Sequence, residues 1–407
     1  MSLTPIRRLG ALVPGPFRDL WTEGRGIILL IVSVGWLVSI GVRLVYPALL
    51  PSIRADLELS LTMAGLILTV LWVCYSVMQF PGGLLADRIG ERAVLVGSTA
   101  LTGVGIGWVV VSVGQLSFFL GTIAVGFGTG LYATTRVTVL SDIYPERSGT
   151  ALGFIQAFGN VGTTILPPIA GFLAVVVSWR LGLGFLLPIA LVVAAALWFV
   201  VPARTSSEDI VVESISRETF SELASGLNDR GVLLATAGMF LVSVVYQSFT
   251  GFYPTYLVLE KGFSEGFAAL LYGGFFAVGI VSQLASGPSG DLIGMRRTLI
   301  GSLALATVAL FALPFVDNLA MILVVSAMLS AQLAYWPVAN AYTVEVMPAE
   351  IQGTGFGLVR TVYLLLASIG PVLVGWFGDA GMLNTAFLAL AGCAALALVT
   401  CWFLPEV

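Results

Sequence analysis

The sequence predicts an all-α integral membrane protein, with twelve transmembrane helices in two six-helix bundles related by pseudo-symmetry. Three observations predict it. Hydrophobic residues make up 58% of the 407 and charged residues only 10%, against roughly 25% charged in soluble domains. Apolar segments near or above the ~20 residues that cross a hydrocarbon core recur along the whole chain. One block also occurs twice, 204 positions apart. Gly83, Asp87, Gly90 and Arg92 recur as Gly287, Asp291, Gly294 and Arg296. Gly149, Thr150, Gly153, Pro167 and Gly171 recur as Gly353, Thr354, Gly357, Pro371 and Gly375. Nine matches at one offset mark a duplication, and duplicated sets of membrane helices are the signature of secondary transporters.

In order, the predicted spans are 26–50, 61–82, 93–113, 116–141, 149–173, 180–201, 231–257, 266–288, 297–315, 319–344, 353–376 and 382–404, six to each copy. The 47 glycines suit helices that must approach closely without a hydrophobic effect to drive them together. The expected organisation is a cytoplasmic lead (1–25), a first bundle (26–201), a cytoplasmic linker (202–230) and a second bundle (231–404). The lead carries four Arg and three Pro before any apolar run, which is not the layout of a cleavable signal peptide. The linker is rich in Ser and Glu, and its length suits a connection better than a catalytic domain.

With both termini in the cytoplasm, twelve of the eighteen basic residues fall in inside segments and three (Arg54, Arg180, Lys261) in outside loops. That asymmetry follows the positive-inside rule, and the expected location is the cytoplasmic membrane. The other three, Arg43, Arg136 and Arg360, fall within predicted helices. Cys74, Cys393 and Cys401 lie in apolar helices with neither a disulfide framework nor metal-ligand spacing. Seventeen Arg to one Lys and no His is the bias of a GC-rich or salt-adapted host.

The repeated block resembles the signature of the major facilitator superfamily, G-x-x-x-D-R-x-G-x-R-R, found between helices two and three and again between eight and nine. The first copy matches at Gly83, Asp87, Arg88, Gly90 and Arg92; the second matches at Gly287, Asp291, Gly294, Arg296 and Arg297, with Leu292 replacing the first Arg. The resemblance spans nearly the whole chain. It implies a carrier working by alternating access, with these loops latching the cytoplasmic side. Gly83 and Gly287 are expected to let helices touch, and Gly90 and Gly294 to make tight turns. Asp142 and Glu345, each three residues before a Pro, are the acids that the resemblance adds to this latch. An alternative is that all these are ordinary loop charges.

Gly153, Gly162, Pro167 and Gly171 fit the fifth-helix pattern G-x8-G-x3-G-P-x2-G-G of exchangers and drug exporters, with Leu166 and Ala170 in place of two glycines. Packing glycines around a proline kink are the other reading. In the fourth helix the family pattern R-x-x-Q-G-x-G-x-G aligns with Thr122, Val125, Gly126, Gly128 and Gly130. Its glycines survive, while the Arg linked to proton coupling is gone.

A charge buried in hydrocarbon costs several kcal/mol, so intramembrane arginines face a partner or a wet cavity. Arg43 lies about 16 residues, on the order of 24 Å, into the first span. It is expected to bind an anion, the alternatives being snorkelling or a pair with Asp56 or Glu58. Arg136 divides between cavity and gate, and Arg360 is expected at a cytoplasmic gate. Tyr246, Gln247, Trp336 and Asn340 are further substrate-contact candidates, with Gln247 one repeat length from Arg43. No Asp or Glu falls near the middle of any predicted span, so the cavity reads as net positive.

The leading expectation is therefore a secondary transporter of a small anionic solute, through a cavity between the bundles. It would act as a monomer, with or without a coupling ion, and with no cofactor, metal or nucleic acid. The alternative is an exporter of amphipathic or hydrophobic compounds, and a membrane sensor on the same fold comes third. Nothing points to an enzyme: the chain has no phosphate-binding G-x-x-x-x-G-K-[ST] loop and no nucleophile–base set.

Overall fold

The computed structural model describes residues 19–205, 229–348 and 352–406. Most of the expected lead and linker lie outside this range. The described chain is helical with no strand, and eleven helices are long and apolar enough to span a membrane, or twelve with one bent pair counted as a span.

We number the spans α1, Arg25–Leu57; α2, Leu61–Val77 continued by Gln79–Ile89; α3, Glu91–Val110; α4, Gln115–Ile143; α5, Ser148–Val176; α6, Trp179–Gly184 continued by Leu186–Val200. The second set is α7, Arg230–Leu259; α8, Glu265–Ile293; α9, Met295–Ala312; α10, Leu319–Leu329 continued by a 3-10 turn and Tyr335–Val346; α11, Gln352–Ala367 continued by Gly370–Asp379; α12, Leu383–Trp402.

The four interrupted spans share one cause. A proline in a helix removes one N–H and collides with the carbonyl four residues earlier. Counting back four from Pro81, Pro188 and Pro371 gives Val77, Gly184 and Ala367, and those are the residues at which the first segments of α2, α6 and α11 end. Counting back from Pro337 gives Leu333, inside the 3-10 turn Ser330–Ala334 of α10. The bend in α2 measures 40°. Helix starts are capped where the sequence offers a short polar side chain. Asp229 accepts from the N–H groups of Gly231 and Val232, Ser264 from Phe267, and Asn318 from Ala320.

By contacts the chain divides into two units. One holds the described residues up to Arg43, Val77–Thr163, and the described residues from Leu183 to Thr205. The other holds Leu44–Ser76, Thr164–Gly182 and the described residues from Asp229 onward.

In the first unit α3 and α4 pack backbone to backbone, through the glycines that α4 displays in sequence. A Cβ on Gly105 would sit 2.7 Å from the Val125 nitrogen, one on Gly121 3.0 Å from that of Val109, and one on Gly128 2.7 Å from that of Thr102. Helices in lipid associate by such close van der Waals contact.

In the second unit the same device joins α2 to α11. A Cβ on Gly65 would lie 2.8 Å from the Val372 Cα, and one on Gly375 2.7 Å from the Leu61 carbonyl carbon. The Asp379 carboxylate, at the end of α11, accepts from the N–H groups of Leu61 (2.7 Å) and Thr62 (2.8 Å) at the start of α2. An acid there complements the positive end of a helix dipole. The remaining core of this unit runs through Met239, Leu303, Tyr335, Tyr342, Tyr363 and Cys401.

Candidate functional site

In the first unit the chemistry collects around Trp36 of α1, which is 3% exposed. The Arg136 guanidinium, from α4, lies 3.7 Å from the centre of the indole ring, and that of Arg43, two turns along α1, lies 5.8 Å from the same centre. Both arginines are buried, at 7% and 3% exposed. Arg43 also donates from Nε to the Ser39 carbonyl at 3.4 Å. α5 closes against the ring because Gly159 lacks a side chain; a Cβ there would lie 2.8 Å from Trp36 Cδ1. Gly35 makes the matching space for Tyr132, whose hydroxyl donates to the Val32 carbonyl at 2.8 Å.

Two guanidiniums on one indole form a concentrated buried positive charge. Cation–π attraction of about 2 kcal/mol or more each, when desolvated, offsets part of their repulsion. A guanidinium is a planar fork of donors whose geometry matches carboxylate and phosphate. Of the alternatives for Arg43, surface snorkelling does not match its 3% exposure. The Asp56 carboxylate is occupied by Arg180 at 2.6 Å and by Trp179 Nε1 at 3.0 Å.

The second unit brings together a wall of rings. Tyr246 of α7 meets Trp336 of α10 edge-on (6.2 Å, 80°), and Trp336 lies parallel to Tyr363 of α11 at 6.1 Å. Trp72 of α2 contacts Tyr246 at 6.3 Å and Tyr75 at 5.6 Å, both edge-on. The Arg360 guanidinium lies beside the Tyr75 and Tyr363 hydroxyls. Gln247 is buried and donates to the Leu364 carbonyl at 3.2 Å, while its Oε1 has no partner among the described residues. Asn340, one turn beyond Trp336, is half-buried.

Sequence reasoning missed Trp36, Trp72, Tyr75 and Tyr363. Spacing held the signal: Trp36 is seven residues from Arg43, Tyr363 three from Arg360, and Trp72 three from Tyr75, so each pair shares a helix face.

In the repeated loops, Gly90 and Gly294 adopt φ of 90° and 91°, where only glycine is unstrained. Gly83 and Gly287 are not contact points, since a Cβ on either would meet nothing within 4 Å. The close approach falls one residue earlier, where a Cβ on Gly82 would lie 3.2 Å from the Leu131 carbonyl. Gly83 is half-buried on a face that no described neighbour fills.

The motif arginines fasten helix ends. Arg92 donates to the Trp198 carbonyl (3.5 Å) and covers that indole, while Arg296 donates to the Trp402 carbonyl (2.5 Å) and pairs with Glu406 at 3.7 Å. Trp198 and Trp402 are themselves 204 apart, so the same basic C-cap serves α6 and α12. Arg204 donates to the carbonyls of Asp87 (3.3 Å) and Arg88 (2.9 Å). Thr205 donates its N–H to Glu91 and its hydroxyl to Asp142, each at 2.9 Å. Glu91, buried within the motif, was not singled out in sequence. Asp87, Arg88, Asp291, Arg297 and Glu345 are exposed. On α5, a Cβ on Gly162 would lie 2.6 Å from the Leu37 carbonyl, Gly171 faces Ala269, Gly153 is open, and Pro167 is buried.

The turns give a stability prediction. Gly294→Ala should cost about 1–3 kcal/mol from its backbone alone, since φ 91° with ψ 145° is a conformation essentially confined to glycine. Gly90→Ala should cost more, because its Cβ would also press on the Ala203 carbonyl. Thermal unfolding of the solubilised variants should show that order, and equal losses would refute it.

The Major Facilitator Superfamily model matches residues 31–282 and 235–407. The chain belongs to that superfamily. It is a multi-pass membrane transporter. It is 27% identical to the hexuronate transporter of Bacillus subtilis (strain 168), over 85% of this chain and 86% of that one. It is 25% identical to the cis,cis-muconate transport protein of Acinetobacter baylyi, over 84% of each. It is 23% identical to the probable galactarate/D-glucarate transporter of Escherichia coli (strain K12), over 93% and 94%. The fold matches a bacterial homolog of the human lysosomal transporter Spinster, with a TM-score of 0.81, 15% identity, and coverage of 94% and 97%. It also matches a D-xylose-proton symporter, with a TM-score of 0.75, 18% identity, and coverage of 93% and 98%.

Proposed function

We propose that this superfamily member carries a small carboxylate-bearing anion across the cytoplasmic membrane by alternating access, with both termini in the cytoplasm. The observation that carries the reading is the pair of buried guanidiniums, Arg43 and Arg136, on the Trp36 ring. Hexuronate, galactarate, glucarate and muconate, the solutes named for the relatives, are all organic anions. They include both polyhydroxy and planar acids, so the carboxylate is what they share.

A second reading, export of amphipathic compounds, draws on the half-buried rings of Tyr246 and Trp336 and on the close α5 contact at Gly162. Counterflow into proteoliposomes separates the two. Radiolabelled glucuronate and benzoate should exchange while tetraphenylphosphonium does not; the opposite pattern would put the exporter first.

In this reading the repeats 26–201 and 231–404 move against each other, joined by 202–230, and the repeated loops latch the cytoplasmic side. Asp87→Asn should then slow exchange severalfold without lowering thermal stability, since Asp87 is exposed and removing its charge leaves no buried group unpaired. Asp291, Asp142 and Glu345 variants should be milder. Wild-type rates in Asp87→Asn would remove the latch from the mechanism.

A further inference from the structure

Arg360 has surroundings that a gate residue does not need. It lies in α11 beside Tyr75 of α2 and Tyr363 of its own helix, it is half-buried, and its Nε has no hydrogen-bond partner among the described residues. Tyr75 and Tyr363 lie beside the guanidinium, and Tyr363, one turn along α11, stacks against Trp336. Trp336 and Tyr246 are also half-buried, and they meet edge to face at 80° with centres 6.2 Å apart, so that the two rings form a corner.

Such a corner fits a flat, conjugated group, which can lie offset on one ring and present its edge to the other. Each such contact adds to simple area burial. The two rings of the corner themselves offer only one hydroxyl and one indole N–H for hydrogen bonding. A polyol would leave buried hydroxyls unsatisfied against the indole faces, a cost that an arene or a conjugated alkene does not meet.

We propose that Arg360 and the Tyr246–Trp336 corner form a binding subsite for a carboxylate conjugated to a planar π system, with the carboxylate on the Arg360 fork and the plane in the corner. This rests on the anion-transport reading and narrows it from any small carboxylate to a planar, hydroxyl-poor one.

The test uses the full-length purified protein and equilibrium binding of radiolabelled benzoate. Cyclohexanecarboxylate, of similar size but not flat, and glucuronate, a polyol acid, serve as competitors. Benzoate should compete best, cyclohexanecarboxylate about fivefold worse, and glucuronate worse still. Arg360→Gln should weaken benzoate binding about thirtyfold or more, and Arg360→Lys should recover part of it. Trp336→Leu should remove the preference for benzoate over cyclohexanecarboxylate while leaving affinity for the latter unchanged. A monodisperse elution profile and an unchanged thermal midpoint certify each variant as folded, with Arg360→Lys and Trp336→Leu carrying the test should Arg360→Gln fail to fold. Glucuronate outcompeting benzoate, no benzoate binding at millimolar concentration, or wild-type binding by folded Arg360 and Trp336 variants would each overturn the subsite. Loss of carboxylate binding in Arg43→Gln alongside wild-type binding in Arg360→Gln would overturn the subsite and leave the anion reading standing. Wild-type binding in both would end both.

Discussion

Arg136→Gln is expected to reduce carboxylate exchange about thirtyfold or more while leaving the thermal stability of the protein unchanged or raised. The two effects have one origin. Arg136 and Arg43 lie within 3.7 and 5.8 Å of the same buried ring, so each opposes the other's charge in the substrate-free protein. Removing one relieves that repulsion, which offsets the cation–π contact and the other interactions the side chain gives up. Transport has no such compensation, because a buried charge–anion contact that is truncated costs about 2–5 kcal/mol. Arg43→Gln should behave alike, and Arg43→Lys should fall between, keeping the charge but losing the planar fork. Trp36→Leu should lower transport and stability together, since it removes the surface that holds both cations. A parallel loss of stability and transport in Arg136→Gln would mean that the pair is structural. Wild-type exchange in that variant would remove it from the substrate path.

Arg43 and Arg136 were legible in sequence because a charge inside an apolar span is expensive and stands out. Trp36 was not, because an aromatic residue in a membrane helix is ordinarily packing or an interface anchor, and only the fold shows two guanidiniums sharing it. The spans were readable from hydropathy to within about five residues at most ends, while α1 and α2 each run seven residues past the expected end. Their breaks were not read from sequence, although each falls near the residue four before Pro81, Pro188, Pro337 or Pro371. Yet Pro167 and Pro168 lie inside an unbroken α5, so a proline marks where a helix can break and its neighbours decide whether it does. The duplication pointed to the tight turns at Gly90 and Gly294, whose backbones agree within a degree. It could not show that Gly82 rather than Gly83 meets a neighbour, since adjacent residues on a helix differ by about 100° in direction and only packing selects between them. The part played by Arg92 and Arg296 was hidden for a related reason: their partners are carbonyls, which no side-chain motif displays.

Gly375→Val is expected to have the other large effect, by preventing α2 and α11 from touching. The atoms a Cβ would meet are backbone, at 2.7 Å from the Leu61 carbonyl carbon and 3.0 Å from the Thr62 Cα, so no side chain can swing aside. Forcing extra methyl groups into such a contact costs about 1–3 kcal/mol. The displacement would also draw the Asp379 carboxylate off the Leu61 and Thr62 N–H groups, a loss of about 0.3–1 kcal/mol. A carrier visits conformations separated by only a few kcal/mol, and each 1.4 kcal/mol changes their ratio about tenfold. The conformation with this contact should therefore fall about tenfold to several-hundredfold in population, and carboxylate exchange should fall with it. Gly375→Ala and Asp379→Asn should be milder, since one adds a single methyl and the other keeps the geometry but not the charge. The measurement is labelling of Thr62→Cys by a membrane-impermeant maleimide, in a background where Cys74, Cys393 and Cys401 are replaced by Ser. Thr62 is half-buried beneath the Asp379 clasp, so labelling should accelerate in Gly375→Val as exchange slows. Unchanged labelling together with wild-type exchange would show that the α2–α11 contact takes no part in the transport cycle.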